Sequence, residues 1–363
     1  EIYTLSLHDA LPIYQPERDV SWASGCKISN ALADAGHAVA LVDVWLGLPE
    51  LDREPESLFL ARPDYQDYAY QVPRTPPNLA RLRENRIRSG SGYFGVHVLD
   101  LCRAADVAFI ALHGAAGENG QLQAAFDLLG IPYTGSDFAD CVIAMDKQLS
   151  KSLIRSLGCE TPDWLYYRTI EEIDFAGVRE KIGFPCVVKP PRGGSSIGVS
   201  IPNNEAECAE AIRVATTSDK TGSDGDVLIE RFISGREFSV GILDGKPLPP
   251  IEIIPQSGWF DYESKYQSER TREICPAEIP DELSAALQSK ALRIHQGLRL
   301  GYYSRIDFRV DDGGTAYCLE ANTLPGMTPG SLLPKEAAAA GIAYADLCNR
   351  IAVNAIFRDS VSS

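Results

Sequence analysis

Asp307, Glu320 and Asn322 have the spacing that a divalent-metal site on a β-hairpin requires. The segment that begins at Arg305, RIDFRVDDGGTAYCLEAN, predicts two strands joined by a turn at residues 311–314. Because side chains alternate along a strand, we expect Glu320 and Asn322 to share one face, where Asp307 of the first strand can join them. Two carboxylates and an amide oxygen suit a hard cation such as Mg²⁺. A polar hairpin at a sheet edge is the alternative interpretation.

Two glycine-rich segments have the composition of anion-binding loops. RGGSSIGVS at residues 192–200 follows the strand-end Lys189, and it offers backbone N–H groups together with the hydroxyls of Ser195 and Ser196. It is not a Walker loop, because no Gly-Lys-Ser/Thr follows. TLPGMTPGS at residues 323–331 could hold an anion through its backbone N–H groups. The alternatives are a flexible turn and, for Lys189, a solvated charge.

Three further polar residues lie where strands are predicted to end or begin. Glu230 ends one strand and Glu237 begins the next, so their carboxylates could accept hydrogen bonds from a sugar, and the hinge between them could meet a base edge. His113 follows a buried strand and leads into glycines, at the place where open α/β sheets bind ligands. Solvated strand-end charges and a loop-capping histidine are the alternatives.

Helices that alternate with buried strands predict a parallel α/β layer in the first part of the chain. Apolar runs at residues 37–44 and 107–112 predict strands, and residues 24–36 and 121–129 predict helices. Gly36 is the expected C-cap of the first helix. Residues 49–95 are rich in Pro, Arg, Asp and Tyr and predict an irregular excursion.

From Asp146 onward the pattern changes to α+β. Besides the hairpin, the predicted strands are residues 185–190, 226–233 and 236–243, and the predicted helices are residues 147–157, 281–298 and 337–356. The sequence therefore predicts a fold that is α/β in its first part and α+β, with antiparallel sheets, in the rest.

Composition and charge exclude several classes of protein. The 363 residues carry a net charge of −16, which argues against a nucleic-acid or anionic-membrane surface, so that any phosphate must meet locally placed positive charge. No apolar run approaches the roughly 18 residues of a membrane span, and we expect no signal peptide. The nine cysteines form no Cys-x-x-Cys pair, which predicts buried free thiols in a reducing compartment.

The order of these elements is that of ATP-grasp enzymes, and in detail the chain closely resembles the D-alanine–D-alanine ligase family. The matching segments include HGAAGENGQLQAAFDLLGIPYTGSD at 113–137, MDK at 145–147, VVKPPRGGSSIGVS at 187–200, LIERFISGREFSV at 228–240, FDYESKYQ at 260–267 and PGMTPGSL at 325–332. The resemblance covers nearly everything from Glu17 onward. It implies a parallel α/β N-terminal domain at residues 1–137 and a two-subdomain ATP-grasp fold, with a central subdomain at 138–228 and a C-terminal one at 229–363.

The resemblance implies an ATP-dependent ligase that joins two D-alanine molecules for peptidoglycan precursor synthesis. ATP would phosphorylate the carboxylate of the first D-alanine, and the amine of the second would attack the acyl phosphate. The implied nucleotide contacts are Lys147, Lys189 and Lys265 to the phosphates, Glu230 to the adenine and Glu237 to the ribose. Asp307, Glu320 and Asn322 would carry two Mg²⁺ ions, with Mn²⁺ as an alternative, which offset the repulsion between a carboxylate and the γ-phosphate.

Other family positions imply contacts to the amino-acid substrates. Arg305 and the backbone at Gly326 would stabilise the developing oxyanion. The remaining implied roles are Glu17 at the first amino group, His113 near that substrate, Ser331 and Leu332 at the second carboxylate, and Ser195 with Tyr266 in a lid tied to Glu17. Family members that use D-lactate lack the lid tyrosine, so Tyr266 implies an amine nucleophile.

The amino terminus departs from the family pattern. The family begins with an apolar strand and a glycine pair ahead of its acidic residue, whereas here EIYTLSLHDALPIYQP contains no glycine and carries Pro12 and Pro16. We therefore expect residues 1–13 to be non-native and the central strand of the first sheet to be missing. A missing strand would weaken the position of Glu17, so we expect this chain to bind ATP more securely than the first D-alanine.

Two alternatives stay open beside the ligase hypothesis. One is an ATP-grasp enzyme that joins another acid and amine, against which Glu17, Tyr266 and Ser331 argue. The other is an ATP-binding homologue impaired by its amino terminus, although its metal-binding positions are intact. The resemblance further implies a cytoplasmic homodimer whose partners are ATP and D-alanine, with no nucleic acid and no membrane.

Overall fold

The computed structural model describes residues 2–8, 18–48, 51, 53–62, 64–70, 92–112, 114–194, 196–217, 225–255 and 271–357. Contacts divide the chain into two compact units. Unit 1 consists of Glu1–Ala139, Leu300–Ser304 and Thr323–Ser363, and unit 2 consists of Asp140–Arg299 and Arg305–Asn322.

Unit 1 is built around a three-stranded parallel sheet. Its strands are β1 (Tyr3–His8), β2 (Ala38–Asp43) and β3 (Val107–Ile110), in the order β2-β1-β3. The helices of its first part are α1 (Arg18–Asp34), α2 (Val98–Ala104), α3 (Ala115–Glu118) and α4 (Gln121–Leu129). Helix α1 packs on β1 and β2. After it, Gly36 adopts a φ of 93°, which only glycine reaches without strain, as its predicted role at the end of the helix requires.

Strand β1 corrects the expectation that the first sheet lacks its central strand. Residues 3–8 pair in parallel with β2 along one edge and with β3 along the other, and the side chains of Leu5 and Leu7 are wholly buried. Thr4 and the buried His37 share a hydrogen bond of 2.8 Å, and the other ring nitrogen of His37 lies 2.8 Å from the Asn349 amide oxygen. YTLSLH becomes a strand because β2 and β3 supply hydrogen-bond ladders along both of its edges.

The carboxyl-terminal helix predicted at residues 337–356 is two helices. Helix α10 spans Leu332–Ala339 and helix α11 spans Tyr344–Phe357. Gly341 has a φ of 80°, and the N–H groups of Gly341 and Ile342 donate to the carbonyls of Ala338 and Ala337. This is a Schellman-type stop, which ends the first helix before the second begins. The continuous apolar pattern concealed it.

Unit 2 contains two sheets. The smaller sheet has the order β4-β6-β5, from β4 (Trp164–Tyr167), β5 (Cys186–Lys189) and β6 (Val227–Arg231), and both pairings are antiparallel. One of its faces packs in an apolar cluster with α7 (Phe175–Lys181) and α8 (Glu205–Ala215). The helices α5 (Phe138–Met145) and α6 (Lys147–Ser156) precede this sheet in the chain.

The larger sheet has the order β10-β9-β7-β11-β12, with β8 paired to β7. Its strands are β7 (Arg236–Leu243), β8 (Lys246–Pro247), β9 (Ile251–Pro255), β10 (Thr271–Ile274), β11 (Tyr303–Val310) and β12 (Ala316–Asn322). Helix α9 (Asp281–Gly297) packs against β7 and β8. The predicted change from parallel α/β to antiparallel sheets with helices is confirmed.

Two predictions from composition, on the cysteines and on membrane spans, can be compared with the structure. All nine cysteines are free thiols, and all except the half-buried Cys275 are buried, as predicted. Within the described residues, none of the helices combines the length and apolarity that a membrane crossing needs.

Candidate functional site

An open cavity of about 870 Å³ in unit 2 gathers most of the predicted nucleotide and metal residues. Six of the predicted residues line it, namely Lys147, Lys189, Glu230, Glu237, Asp307 and Glu320, the last two from the hairpin. Lys147, Lys189 and Arg192 place positive charge in the cavity. An acidic chain that binds phosphate needs such a local cluster of basic side chains.

Strands β11 and β12 bring the predicted metal residues together. Asp307 is the register partner of Glu320, and Arg305 is the register partner of Asn322, so all four side chains lie on one face of the hairpin. The turn has the predicted position, since the N–H groups of Gly314 and Thr315 donate to the carbonyl and the side chain of Asp311. The expected convergence on one face is confirmed.

Asp307 is the most heavily hydrogen-bonded member of this group. Arg305 donates to its two carboxylate oxygens at 2.9 and 2.8 Å, and Ser239 of β7 donates at 2.7 Å. The Asn322 amide nitrogen donates to it at 3.0 Å. The carboxylate is therefore fixed in orientation, and Arg305, for which an oxyanion contact is predicted, pairs with Asp307 in this structure.

The donor set has the chemistry that Mg²⁺ prefers, because two carboxylates and an amide oxygen are hard oxygen ligands. Within the described residues, no three His, Cys, Asp or Glu side chains form a metal site by themselves, so the amide of Asn322 is a necessary part of this candidate.

Lys189 and Glu230 form a buried ion pair on the smaller sheet. Glu230 lies opposite Val187, and Lys189 is two residues farther along the same face of β5, which is within reach of a long side chain. The Lys189 ammonium donates to Glu230 Oε1 at 2.6 Å. Glu230 is only 2% exposed, so the alternative of a solvated strand-end charge is wrong for this residue.

Helix α6 positions Lys147 at the cavity. Asp146 caps the helix by accepting from the N–H groups of Gln148 and Leu149 at 3.0 and 3.1 Å. The Lys147 N–H donates to the carbonyl of Pro191, and its ammonium donates to the carbonyl of Gly193 at 2.8 Å and lies 3.7 Å from Glu320. Lys147 therefore joins the glycine-rich loop to the hairpin.

Glu237 lies beside Arg309 at the other predicted sugar-contacting position. The two charged groups are 3.9 Å apart, and both side chains are largely buried. The Arg309 guanidinium lies over the ring of Phe232, 5.4 Å from its centroid. Glu237 thus has a cationic neighbour, Arg309, which the sequence pattern did not predict.

Gly326, Ser331 and Leu332 belong to unit 1, where the first two lie in the loop that leads into α10 and Leu332 is the first residue of that helix. The Ser331 hydroxyl accepts from the N–H of Thr328 at 3.1 Å, and Ser331 is the residue that precedes the helix. A Cβ atom on Gly326 would lie 2.9 Å from the Ser331 hydroxyl oxygen, so only glycine fits there. The structure thus brings Gly326 and Ser331 together in one compact loop.

The remaining predicted site residues, Glu17, His113, Ser195, Lys265 and Tyr266, lie outside the described residues. The roles assigned to them stay predictions.

Sequence reasoning missed three side chains that support this site. Lys151 is the second lysine on Glu230, Ser239 donates to Asp307, and Arg309 lies beside Glu237. Lys151 had a signal, because it follows Lys147 by one helical turn in a segment predicted to be helical. Ser239 and Arg309 had none without the order of the strands in the sheet.

Family models match most of the chain. A model described as "D-ala D-ala ligase N-terminus" matches residues 15–136, and one described as "D-ala D-ala ligase C-terminus" matches residues 153–353.

Individual relatives agree with these models. A D-alanine–D-alanine ligase of Pediococcus pentosaceus is 40% identical over 345 residues, which cover 92% of this chain and 93% of the relative. The crystal structure of a D-alanine–D-alanine ligase from Bacillus anthracis complexed with ATP has a TM-score of 0.72 at 28% identity, with 100% of this chain and 99% of the other covered. A second structure of the ligase from that organism has a TM-score of 0.73 at 30% identity, with both chains fully covered. The expected ATP-grasp architecture is confirmed.

Proposed function

This chain belongs to the D-alanine–D-alanine ligase family, and from that premise we propose that it joins two molecules of D-alanine at the expense of ATP. The carboxylate of the first D-alanine attacks the γ-phosphate, and the amine of the second displaces phosphate from the resulting acyl phosphate. The product, D-alanyl-D-alanine, serves as a peptidoglycan precursor. The observation that carries the proposal is the cavity of unit 2, which combines two lysines, two sugar- and base-facing carboxylates and the Asp307–Glu320 pair.

The nucleotide roles follow from the chemistry of the cavity. Lys147 and Lys189 bind the phosphates of ATP, Glu230 accepts from the amino group of the adenine, and Glu237 accepts from the ribose hydroxyls. The apolar lining, which includes Phe232, excludes water from the base. Lys265, outside the described residues, would add a further phosphate contact.

Asp307, Glu320 and Asn322 would hold Mg²⁺. The bound metal would neutralise charge on the phosphates and so lower the repulsion that opposes an anionic nucleophile. In this structure Asp307 accepts from Ser239, Arg305 and Asn322, so one of these donors would turn away from the carboxylate to admit the metal.

The proposed amino-acid roles belong to further positions of the family pattern. Arg305 and the Gly326 backbone stabilise the oxyanion of the tetrahedral intermediate, and the Ser331 hydroxyl and the Leu332 N–H bind the carboxylate of the second D-alanine. Glu17, His113, Ser195 and Tyr266 retain the roles given to them above. Lid closure would keep water from the acyl phosphate. The proposal includes a cytoplasmic location and a homodimer, as is usual in the family.

The test is phosphate release from Mg·ATP in the presence of D-alanine, L-alanine or D-lactate, with the products identified by mass. We expect phosphate release that depends on D-alanine, formation of D-alanyl-D-alanine, and loss of both on removal of the metal. Turnover with a different acid or amine alone would assign the chain to another ATP-grasp reaction.

A matched pair of variants ties that activity to the hairpin. Asp307→Asn keeps the shape of the side chain but removes its charge, and we expect kcat to fall at least about a hundredfold. Asp312→Asn makes the same change in the exposed turn of the same hairpin and should leave kcat unchanged. Equal activity of the two variants would contradict the metal role of Asp307.

A further inference from the structure

Glu230 is held by two lysines rather than one. The Lys189 ammonium donates to its Oε1 at 2.6 Å, and the Lys151 ammonium lies 2.8 Å from its Oε2. All three side chains are almost completely buried. Two ammonium groups on a single carboxylate leave an excess positive charge in a place where unpaired charge is costly, so the second lysine calls for a physical reason.

The two lysines differ in what they can reach. Lys189 ends β5 and lines the cavity. Lys151 is 1% exposed, donates to the Thr161 hydroxyl at 2.7 Å and lies over the ring of Trp164, 5.1 Å from its centroid. Among the described residues, it is absent from the lining of the cavity. A ligand can therefore draw Lys189 away from Glu230, whereas Lys151 stays where it is.

A bound nucleotide changes the balance of charge at Glu230. Under the proposed function Lys189 binds phosphate, so it can no longer neutralise Glu230 fully. Burial alone would favour the protonated carboxyl. In the structure that effect is outweighed by attraction from Lys151 and Lys189, which holds the pKa of Glu230 below its usual value. Burial lowers the pKa of Lys151 to about 8, so Lys151 is still a cation at neutral pH.

The charge state of Glu230 determines which base it can bind. An ionised carboxylate accepts only, and it therefore suits the 6-amino group of adenine and repels the 6-oxo group of hypoxanthine. A protonated carboxyl can donate to that oxo group. A cation that keeps Glu230 ionised thereby selects an aminopurine.

We propose that Lys151 is a positioning residue that keeps Glu230 ionised and oriented once Lys189 has turned to the phosphates, and that it thereby makes the site select ATP over ITP. The inference rests on the proposed function, because that function supplies the nucleotide and the roles of Lys189 and Glu230. It extends the function by assigning nucleobase selection to a residue that does not touch the base.

The test is the ratio of kcat/KM for ATP to kcat/KM for ITP in D-alanine-dependent phosphate release. In Lys151→Met we expect this ratio to fall about tenfold or more relative to the unaltered chain, because one charge-assisted hydrogen bond to the base is lost. A purely structural role for Lys151 would lower activity with both nucleotides equally. An unchanged ratio in a folded Lys151→Met protein would therefore overturn the inference.

Lys290→Met is the matched control, because Lys290 also pairs with a glutamate in unit 2, namely Glu160, away from the cavity. It should leave the ratio unchanged. If it lowers the ratio as Lys151→Met does, the effect is not specific to Glu230 and the inference fails.

A double variant keeps the inference testable if Lys151→Met does not fold. Glu230→Gln with Lys151→Met removes one positive and one negative charge, so the net charge of the buried cluster is unchanged. If Lys151 acts through Glu230, this double variant has the same ATP-over-ITP ratio as Glu230→Gln alone, whereas a different ratio would overturn the inference. An unaltered chain that turns over neither nucleotide would instead refute the proposed function, so the two failures are distinguishable.

Discussion

At the scale of single residues, the cavity of unit 2 is defined by charges held close to one another. Lys147 lies near Glu320, Lys189 on Glu230 and Arg309 near Glu237. Each of these carboxylates has a cationic neighbour before a ligand arrives. A ligand that carries several anionic groups can then take over the cations.

Arg309→Met tests the pair at Glu237. The change removes the guanidinium beside Glu237 and over Phe232 but retains much of the apolar volume, so we expect KM for ATP to rise about tenfold, with a smaller change in kcat. Initial rates over a range of ATP concentrations measure both constants. Arg213→Met is the control, because Arg213 pairs with Glu210 on the exposed face of α8. The same rise in KM in both variants would show that the cavity pair has no special part in binding ATP.

At the scale of elements, the stability of helix α6 determines how firmly two lysines of the site are held. Its N-cap, Asp146, is the neighbour of Lys147, and one turn later the helix carries Lys151. Fraying of the first turn would therefore loosen both lysines.

Asp146→Ala should lower the free energy of unfolding by about 1 kcal/mol and raise KM for ATP severalfold, because Lys147 loses its fixed backbone. Asp174→Ala removes the equivalent cap of α7, where Asp174 accepts from the N–H of Ala176 at 3.0 Å. It should cost similar stability without a change in KM. Urea unfolding and ATP titrations measure the two effects, and a matching rise in KM in Asp174→Ala would contradict the link through Lys147.

Much of this element-level structure is predictable from sequence. The apolar spacing predicts a helix at residues 121–129 and a strand at residues 236–243, and both have these bounds in the structure. Alternation along the hairpin also predicts that Asp307, Glu320 and Asn322 lie on one face, because the pairing of two adjacent strands through a short turn fixes which side chains are neighbours. The apolar pattern runs across the break at Gly341, where the only sequence signal is the glycine itself, because it can adopt the φ of 80° that ends the first helix.

At the scale of the whole molecule, strand order supplies what local patterns lack. Ser239 reaches Asp307 only because β7 and β11 are neighbours, and residues 3–8 are recognisable as a strand only through β2 and β3. Weak binding of the first D-alanine was expected because the central strand of the first sheet was predicted to be missing. Since β1 is that strand, this structural reason no longer applies.

Leu7→Ala tests how far unit 1 depends on β1. The side chain is wholly buried, so we expect a loss of about 2–5 kcal/mol in the free energy of unfolding, measured in urea. ATP affinity should persist, because the described residues that line the cavity belong to unit 2. Leu128→Ala, at a position 88% exposed, should cost almost nothing. Equal losses in the two variants would mean that β1 contributes little to the stability of unit 1.

Strand β1 is the first of the three unit 1 sheet strands to leave the ribosome, yet it occupies the centre of the finished sheet. Its pairing with β2 requires only the crossover through α1, whereas its pairing with β3 must wait until residues 107–110 have been synthesised. During that interval the nascent chain presents an unpaired edge of YTLSLH, and such edges recruit other chains. Completion of this edge is therefore delayed relative to the pairing of β1 with β2, and during that delay the central strand of the sheet is exposed to aggregation.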